Sequence, residues 1–339
     1  MSAIARKSGP VDKYEPRNPG LSDTARLCDR VIIMLVATLN VQNLRLESID
    51  GRNRLHGAWD SDVPEDRRLD PVDRRLTAGL LKEVDADVVA LQEVFDLDSL
   101  NHFHEKFFLP TGARPYSQRI CLPGNDGRGL DVALLSRRHV DAVQSHASLA
   151  LADVGIEPPA GVDPGLPVFR RDCLMVTIGP LTLFVCHFKS AYPDAGKAWT
   201  TRRLEALVTR RLIERRFQDP AKSLWLILGD LNEPDHPAAG HQRAIEPLET
   251  GFAIDLMQRL PEKERWTYHD PHSGLYHCPD ALLASPALAR RWPNAEPFVV
   301  RMGLGGETSR FHGPRLGGVG AHRPHASDHA AVAVDLPGL

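Results

Sequence analysis

The chain has 339 residues, enough for one large domain or two ordinary ones. Apolar residues make up 42% and charged residues 25%, near the soluble globular average, so disorder as the main state is excluded. Lys and Arg total 41 against 44 Asp and Glu, a formal charge of -3; grip on nucleic acid through a global positive field is therefore excluded, and any such grip has to be local. No apolar run approaches the roughly 20 residues that span a bilayer. The opening MSAIARKSGPVDKYEPRNPG has no apolar core of a secretory signal, so a cytoplasmic protein is expected. The five cysteines have no C-x-x-C spacing, and Cys173 and Cys186 sit in apolar runs, which points to buried thiols rather than a disulfide framework.

Residues 1–30 are polar, with scattered Pro and Gly, and read as an N-terminal arm. Residues 31–39 (VIIMLVATL) form a near-continuous run rich in β-branched residues, the pattern of a strand covered on both faces. The charged, turn-rich stretch 45–72 reads as a long loop. Leu76, Leu80, Leu81 and Val84 recur at helical spacing over 73–84, and residues 87–91 read as a second buried strand ending at Gln92-Glu93. A short helix over 99–109 and a third strand over 130–135 follow.

Residues 152–168 hold several prolines and glycines and read as a loop. The runs 173–178 and 181–188 flank Gly179-Pro180 as a hairpin would. A helix is expected over 200–217, with Leu204, Leu207, Val208, Leu212 and Ile213 on one side. Arg202, Arg203, Arg210, Arg211, Arg215 and Arg216 occupy the other, as a solvated face or a track for a polyanion. Residues 224–228 are a buried strand running into GDLN, 279–285 a short strand, 303–327 a long Gly-, His- and Arg-rich loop, and 330–335 the last strand. Strands persist from residue 31 to 335 with no linker, so one domain is expected over 31–339, with sheets buried under outer helices.

One pattern recurs: an apolar run stops abruptly at a residue that binds metal or moves protons. It happens at Asn40, at Glu93, at His187, at Asp230 and Asn232, and at Asp328-His329 before the final strand. A buried strand end is a rigid platform, and a charge stranded there is costly unless it is paired or bound to metal.

The stretches TLNVQNL (38–44), DVVALQEV (87–94), DVALLS (131–136), CHFKS (186–190), GDLNEPD (229–235), PDALLAS (279–285) and SDHAAV (327–332) occur in that order. The set resembles the endonuclease/exonuclease/phosphatase superfamily, the DNase-I-like phosphoesterases, and HFKS resembles its bacterial nuclease branch. The resemblance implies an α/β four-layer sandwich, two mixed β-sheets packed face to face with helices outside. It leaves 1–30, 45–72, 235–265 and 303–325 uncovered.

The resemblance also implies roles. Glu93 is the metal ligand, with Asn40 beside it and Asp328 a second candidate, for one or two Mg²⁺ or Mn²⁺ ions. Mg²⁺ needs only one or two carboxylates because it keeps several waters. Asp230 positions or deprotonates the attacking water, and Asn232 orients it or holds the phosphate. His329 faces the phosphate and Asp280 holds that ring, since a carboxylate on one ring nitrogen fixes the tautomer and raises basicity. His187 donates to a phosphoryl or leaving oxygen, with no carboxylate partner evident in the sequence. Lys189, two residues on, shares its side of an extended chain, and Arg171, or its neighbour Arg170, clamps phosphate.

Ala281 stands where many relatives have an aromatic. Tyr116, Trp266 and Tyr268 are candidates for base stacking. The His269/His272/His277 and His322/His325 spacings do not fit a closed zinc site. The expected function is a metal-dependent phosphodiesterase, a nuclease acting on DNA or RNA as a monomer without membrane insertion. The alternatives are a lipid phosphodiester or small phosphomonoester as substrate, or a non-catalytic binding relative.

Overall fold

The computed structural model describes residues 33–60, 66–236 and 240–339; the arm expected over 1–30, Cys28 included, lies outside them. Two six-stranded sheets dominate. The first runs, in spatial order, Phe298–Val300, Ala331–Pro337, Ile33–Leu44, Val88–Val94, Asp131–Ser136 and Gln118–Cys121. The second runs Ile254–Asp255, Asp280–Ala284, Trp225–Asp230, Leu181–His187, Cys173–Ile178 and Ala142–Gln144. Each is mixed in the same way: Ile33–Leu44 lies parallel to Val88–Val94, Trp225–Asp230 lies parallel to Leu181–His187, and every other pairing is antiparallel.

The two-residue period of each strand decides which core a side chain enters. Val36, Val88, Ala90 and Leu134 of the first sheet meet Leu183, Val185, Leu226 and Leu228 of the second between the sheets. The alternate residues Ala37, Leu39, Val89 and Leu91 face outward under Leu76, Leu80 and Leu81 of the helix Asp70–Val84. On the other side Phe184, Cys186, Trp225 and Ile227 are covered by Leu204, Val208 and Ile213 of the helix Ala195–Arg216. Each central strand is thus apolar on both faces, and the layers are helix, sheet, sheet, helix, the expected α/β sandwich. Among the described residues no helix is long and apolar enough to cross a membrane.

Several local expectations are corrected. The stretch 45–72 is not a plain loop: it holds a hairpin, Leu46–Ile49 with Arg52–Leu55, and the start of the Asp70–Val84 helix. The pair Asp50-Gly51, both at positive φ, supplies the tight turn. The helix expected over 99–109 is the α-helix Leu97–Phe103 continued by a π-turn over His104–Phe108, and a short helix, Leu151–Val154, begins the 152–168 loop. The strands Gln118–Cys121, Ala142–Gln144, Ile254–Asp255 and Phe298–Val300 were not anticipated; all four lie at or beside a sheet edge and are short. Cys121, Cys173 and Cys186 are buried free thiols, and Cys278 is half-buried.

Candidate active site

Both parallel pairs point the same polar cargo at one place. In the second sheet the ladder stays in register to its end, so His187, Asp230 and Asp280 stand side by side on three neighbouring strands. Gly229 makes the approach possible. Its φ is 136°, and a Cβ there would lie 1.9 Å from the Cys186 carbonyl oxygen, so only glycine fits.

The first sheet presents its residues by breaking register. Asn40 pairs with Gln92, and both ladders then slip, leaving Glu93 as the extra residue of a bulge at φ 64°. Gln42 and Asn43 also adopt positive φ, as does Asn232 across the site. Four of the six described non-glycine residues in this strained region therefore surround the centre.

Arg74 holds the irregular end in place. It is fully buried in the Asp70–Val84 helix and donates to the carbonyls of Val41, Gln42, Asn43, His56 and Gly57. Burial pulls its guanidinium down to about 10, which leaves it charged at neutral pH.

The side chains converge on one oxygen. Asp230 Oδ2 accepts from Asn40 Nδ2 at 3.2 Å and lies 3.6 Å from His187 Nε2 and 3.8 Å from His329 Nε2. The last two separations exceed a hydrogen bond and suit groups that share a bridging water or phosphoryl oxygen. Asn40 Nδ2 also donates to Glu93 Oε1 (3.2 Å), the Asn43 amide donates to Glu93 Oε2 (3.0 Å), and the Asn232 amide donates to Asp230 Oδ1 (2.9 Å). His329 Nδ1 donates to Asp280 Oδ2 at 2.8 Å, and Thr267 Oγ1 donates to the same oxygen. Ser327 Oγ donates to the Asn40 carbonyl at 2.6 Å and accepts from the His329 amide, tying the last loop to the first strand.

Burial and neighbouring charge set the proton affinities. Burial pushes Asp230 up to about 6, with His329 opposing and Asp280 adding to the rise. Burial disfavours a charged His329, but Asp280, Asp328 and Asp230 outweigh it and raise the ring well above its ordinary value. His187 goes the other way: burial, then Arg171, His329, Arg128 and Lys189, hold it well below. Burial pushes Asp328 up to about 7, and the Asp60 and Glu93 carboxylates nearby work in the same direction.

That crowding of Asp328, Glu93 and Asp60 is what a cation relieves. Among the described residues no three His, Cys, Asp or Glu side chains form a closed metal cage. Glu93 and Asp328 with the Asn40 amide oxygen instead fit an ion that keeps several waters, as Mg²⁺ does. The histidine-rich loops gather no such group either.

Other sequence expectations fare differently. His187 does have a carboxylate neighbour, Asp230, a strand away; its Nδ1 is buried without a partner. Arg171 is buried, donating to the Phe188 carbonyl (3.2 Å) and facing Asp126 (3.2 Å), while Arg170 is exposed. Lys189 Nζ folds onto the carbonyls of Ser190 and Tyr192. Asn232 Nδ2 donates to the Phe188 carbonyl.

The arginine side of the Ala195–Arg216 helix is not a free track. Arg202 is buried against Glu233 (3.4 Å) and donates to the Lys189 carbonyl, Arg203 pairs with Glu246, and Arg210 pairs with Glu214. Buried Glu205 beside them accepts from the Arg170 and Lys189 amides. Tyr116 is a core residue donating to the Ala86 carbonyl, Trp266 is buried under Arg301, and Tyr268 alone of the three lies at the site, its ring 5.0 Å from that of His329.

Arg74, Gln42, Thr267, Ser327 and Gly229 were not singled out from sequence. Ser327 and Gly229 sit inside recognised motifs and were open to notice; nothing local marks Thr267 or Arg74.

A sequence profile of the Endonuclease/Exonuclease/phosphatase family matches residues 37–329. The chain belongs to that family. Its enzymes hydrolyse phosphoester bonds and generally use divalent metal ions. Solved structures with the same fold include truncated TDP2 of Caenorhabditis elegans, at 16% identity and TM-score 0.54 over 90% of this chain and 97% of that one. An AP endonuclease from Archaeoglobus fulgidus matches at 15% and 0.53, over 90% and 100%. An endonuclease/exonuclease/phosphatase from Beutenbergia cavernae DSM 12333 matches at 17% and 0.55, over 90% and 71%. A search of curated proteins found no match.

Proposed function

We propose that this family member is a divalent-metal-dependent phosphodiesterase that hydrolyses nucleic acid. The observation that carries the reading is the convergence of Asn40, His187 and His329 on Asp230 Oδ2, with Glu93 and Asp280 one hydrogen bond behind. Cleavage of a phosphodiester needs an activated water, a sink for phosphoryl charge and help for the leaving oxygen.

Asp230, ionised at neutral pH, takes the proton of the attacking water as its oxygen bonds to phosphorus. Asn232, whose amide binds the other carboxylate oxygen, fixes the orientation of that base. His329 keeps its proton because Asp280 holds it, and faces the phosphoryl oxygens as a cation. His187, kept neutral, donates from Nε2 to a phosphoryl or leaving oxygen. A Mg²⁺ or Mn²⁺ ion held by Glu93, Asn40 and Asp328 would supply positive charge against the phosphoryl and leaving oxygens. The ester P–O bond breaks, the leaving oxygen gains a proton, and a phosphomonoester and an alcohol result. Near His187, Asp126 answers both Arg128 and Arg171 and Lys189 adds a further cation, an excess of positive charge that supports a polyanion over a small monoester.

The test is a panel of plasmid DNA, single-stranded DNA, RNA, sphingomyelin and inositol phosphates with Mg²⁺, Mn²⁺ or EDTA. Cleavage of a nucleic acid that stops with EDTA and falls roughly a thousandfold in Glu93→Ala is expected, the several kcal/mol a catalytic ion supplies. Hydrolysis of sphingomyelin or inositol phosphates alone contradicts the substrate class. Undiminished cleavage by Glu93→Ala contradicts the metal assignment.

A further inference from the structure

His329 and His187 face the same carboxylate oxygen but are held in different ways. His329 is fixed through its ring, where Asp280 Oδ2 accepts from Nδ1 at 2.8 Å. His187 has no such partner: its Nδ1 is buried and unpaired among the described residues. Its placement therefore has to come from the backbone that carries it.

The ladder that aligns His187 ends with it. Phe188 and Lys189 belong to no strand, yet each of their backbone polar groups is bound. The Phe188 amide donates to the Asp230 carbonyl at 3.0 Å, and the Phe188 carbonyl accepts from Arg171 (3.2 Å) and from Asn232 Nδ2 (3.1 Å). The Lys189 amide donates to Glu205 Oε2 at 2.8 Å, and the Lys189 carbonyl accepts from Arg202 at 2.9 Å.

The last two partners come from one helix. Arg202 and Glu205 are three residues apart in Ala195–Arg216, so they share a face, and they grip the donor and the acceptor of a single residue. Glu205 reaches further, because its Oε1 accepts from the Arg170 amide at 3.0 Å. Cys173 and Cys186 are the last paired residues of the hairpin, and Arg170 and Lys189 stand three positions past them on its two chains. One carboxylate thus takes up both amides where the hairpin has parted. Arg202 and Glu205 are buried. Burial pushes Glu205 up to about 7, and the two amides, then Arg171 and Arg202, oppose that rise. An apolar residue would pack the helix at lower cost.

We infer that Glu205 and Arg202 are positioning residues for His187: they fix the chain that leaves its strand, and so hold Nε2 3.6 Å from Asp230 Oδ2, where a phosphoryl oxygen fits between them. This inference rests on the phosphodiesterase reading above. A catalytic group misplaced by about 1 Å can lose about a hundredfold in rate. Glu205→Gln keeps nearly the same size, but its amide accepts from one backbone N–H and turns a donor on the other.

The experiment is a pair of double-mutant cycles. The kcat and KM on single-stranded DNA with Mn²⁺ are measured for Glu205→Gln, Arg202→Gln and His187→Ala, and for each of the first two combined with His187→Ala, with urea unfolding alongside. Glu205→Gln and Arg202→Gln are each expected to lower kcat by about tenfold or more while KM and the Mn²⁺ concentration for half activity stay within about twofold. Neither lowers kcat further once His187 is alanine. Losses that multiply in the double variants, or a kcat within about twofold of wild type, overturn the positioning role and leave the phosphodiesterase standing. Both single variants unfolded at the assay temperature would assign the pair to the scaffold and overturn it equally. If the wild-type chain leaves DNA and RNA intact, the nucleic-acid reading fails, and the same cycles on sphingomyelin or an inositol phosphate, whichever is cleaved, decide the positioning role. Cleavage of none of these overturns both.

Discussion

The two parallel strand pairs at the heart of the sandwich reach the same centre by opposite routes. In the second sheet, Leu181–His187 and Trp225–Asp230 keep their register to the last residue, and His187, Asp230 and Asp280 are aligned by the ladder itself. In the first, the ladder breaks after Asn40 and Gln92, and Glu93 is turned toward the centre by a bulge. A regular strand end aims side chains at no added cost. An irregular one stores strain, about 1–3 kcal/mol for each residue in a rare backbone region, and needs outside support. Arg74 supplies it by binding the carbonyls of Gln42 and Asn43. Each half is therefore vulnerable at a different point: the ordered half at Gly229, the bulged half at its buried Arg74.

The largest stability effect is expected from Arg74→Met. It strips five buried carbonyls of their donor and leaves Asp70 and Asp73 with less cationic company, a loss of about 3–5 kcal/mol. Urea unfolding of the variant measures it, and a loss below about 1 kcal/mol would show that the bulged end supports itself. Next comes Gly229→Ala, which forces a Cβ against the Cys186 carbonyl in the regular half. Overpacking and backbone strain together cost about 2–4 kcal/mol, again read by urea unfolding.

Asp280→Asn acts on chemistry rather than stability. The asparagine still fills the space, but it cannot hold a protonated His329. A fall of about a hundredfold in kcat is expected, with the alkaline limb of the pH–rate profile moved to lower pH, because removing the carboxylate lowers the ring's proton affinity. An unchanged limb would assign that limb to another group.

The smallest effect is a linkage between ion and proton. Asp328 has its folded value raised to about 7. In the metal-free protein its contribution to stability is complete below the ordinary carboxylate range and is lost as pH rises through about 7. A cation reverses that loss by favouring the ionised form. The gain in Tm on adding Mg²⁺ should therefore be small at pH 5, grow through pH 7, level off above it, and vanish in Glu93→Ala. Buried His187 and His325, both held neutral, shift stability in the opposite sense, but with and without the ion alike, so the difference isolates the raised carboxylates of the centre, Asp328 and, nearer pH 6, Asp230. A gain independent of pH would remove Asp328 from the site.

Much of the second sheet could be read directly from sequence, because the unbroken apolar runs Leu181–His187 and Trp225–Asp230 mark strands covered on both faces. The strand-end rule found Asn40, Glu93, His187, Asp230 and His329 for the same reason. The first sheet's irregular end was harder. The Asp50-Gly51 pair is a turn signal, but the charged residues around it hide the strands it joins. Arg74 looks like any helical arginine until five carbonyls from other segments surround it. The helix period puts Arg202 on a side that reads as a solvated face or a polyanion track, yet Glu233 and the Lys189 carbonyl draw it inside. Contacts set by tertiary folding, with no local period behind them, leave no mark that one sequence can show.

On the reading proposed above, the ends of both sheets hold one divalent ion and one phosphate. This is tested most directly by growing crystals with Mn²⁺ and mapping its anomalous signal. A peak is expected between Glu93, Asp328 and the Asn40 amide, within about 2.0–2.6 Å of carboxylate oxygen, and is lost in Glu93→Ala. A peak among His269, His272, His322 and His325, with no density at Glu93, would contradict it.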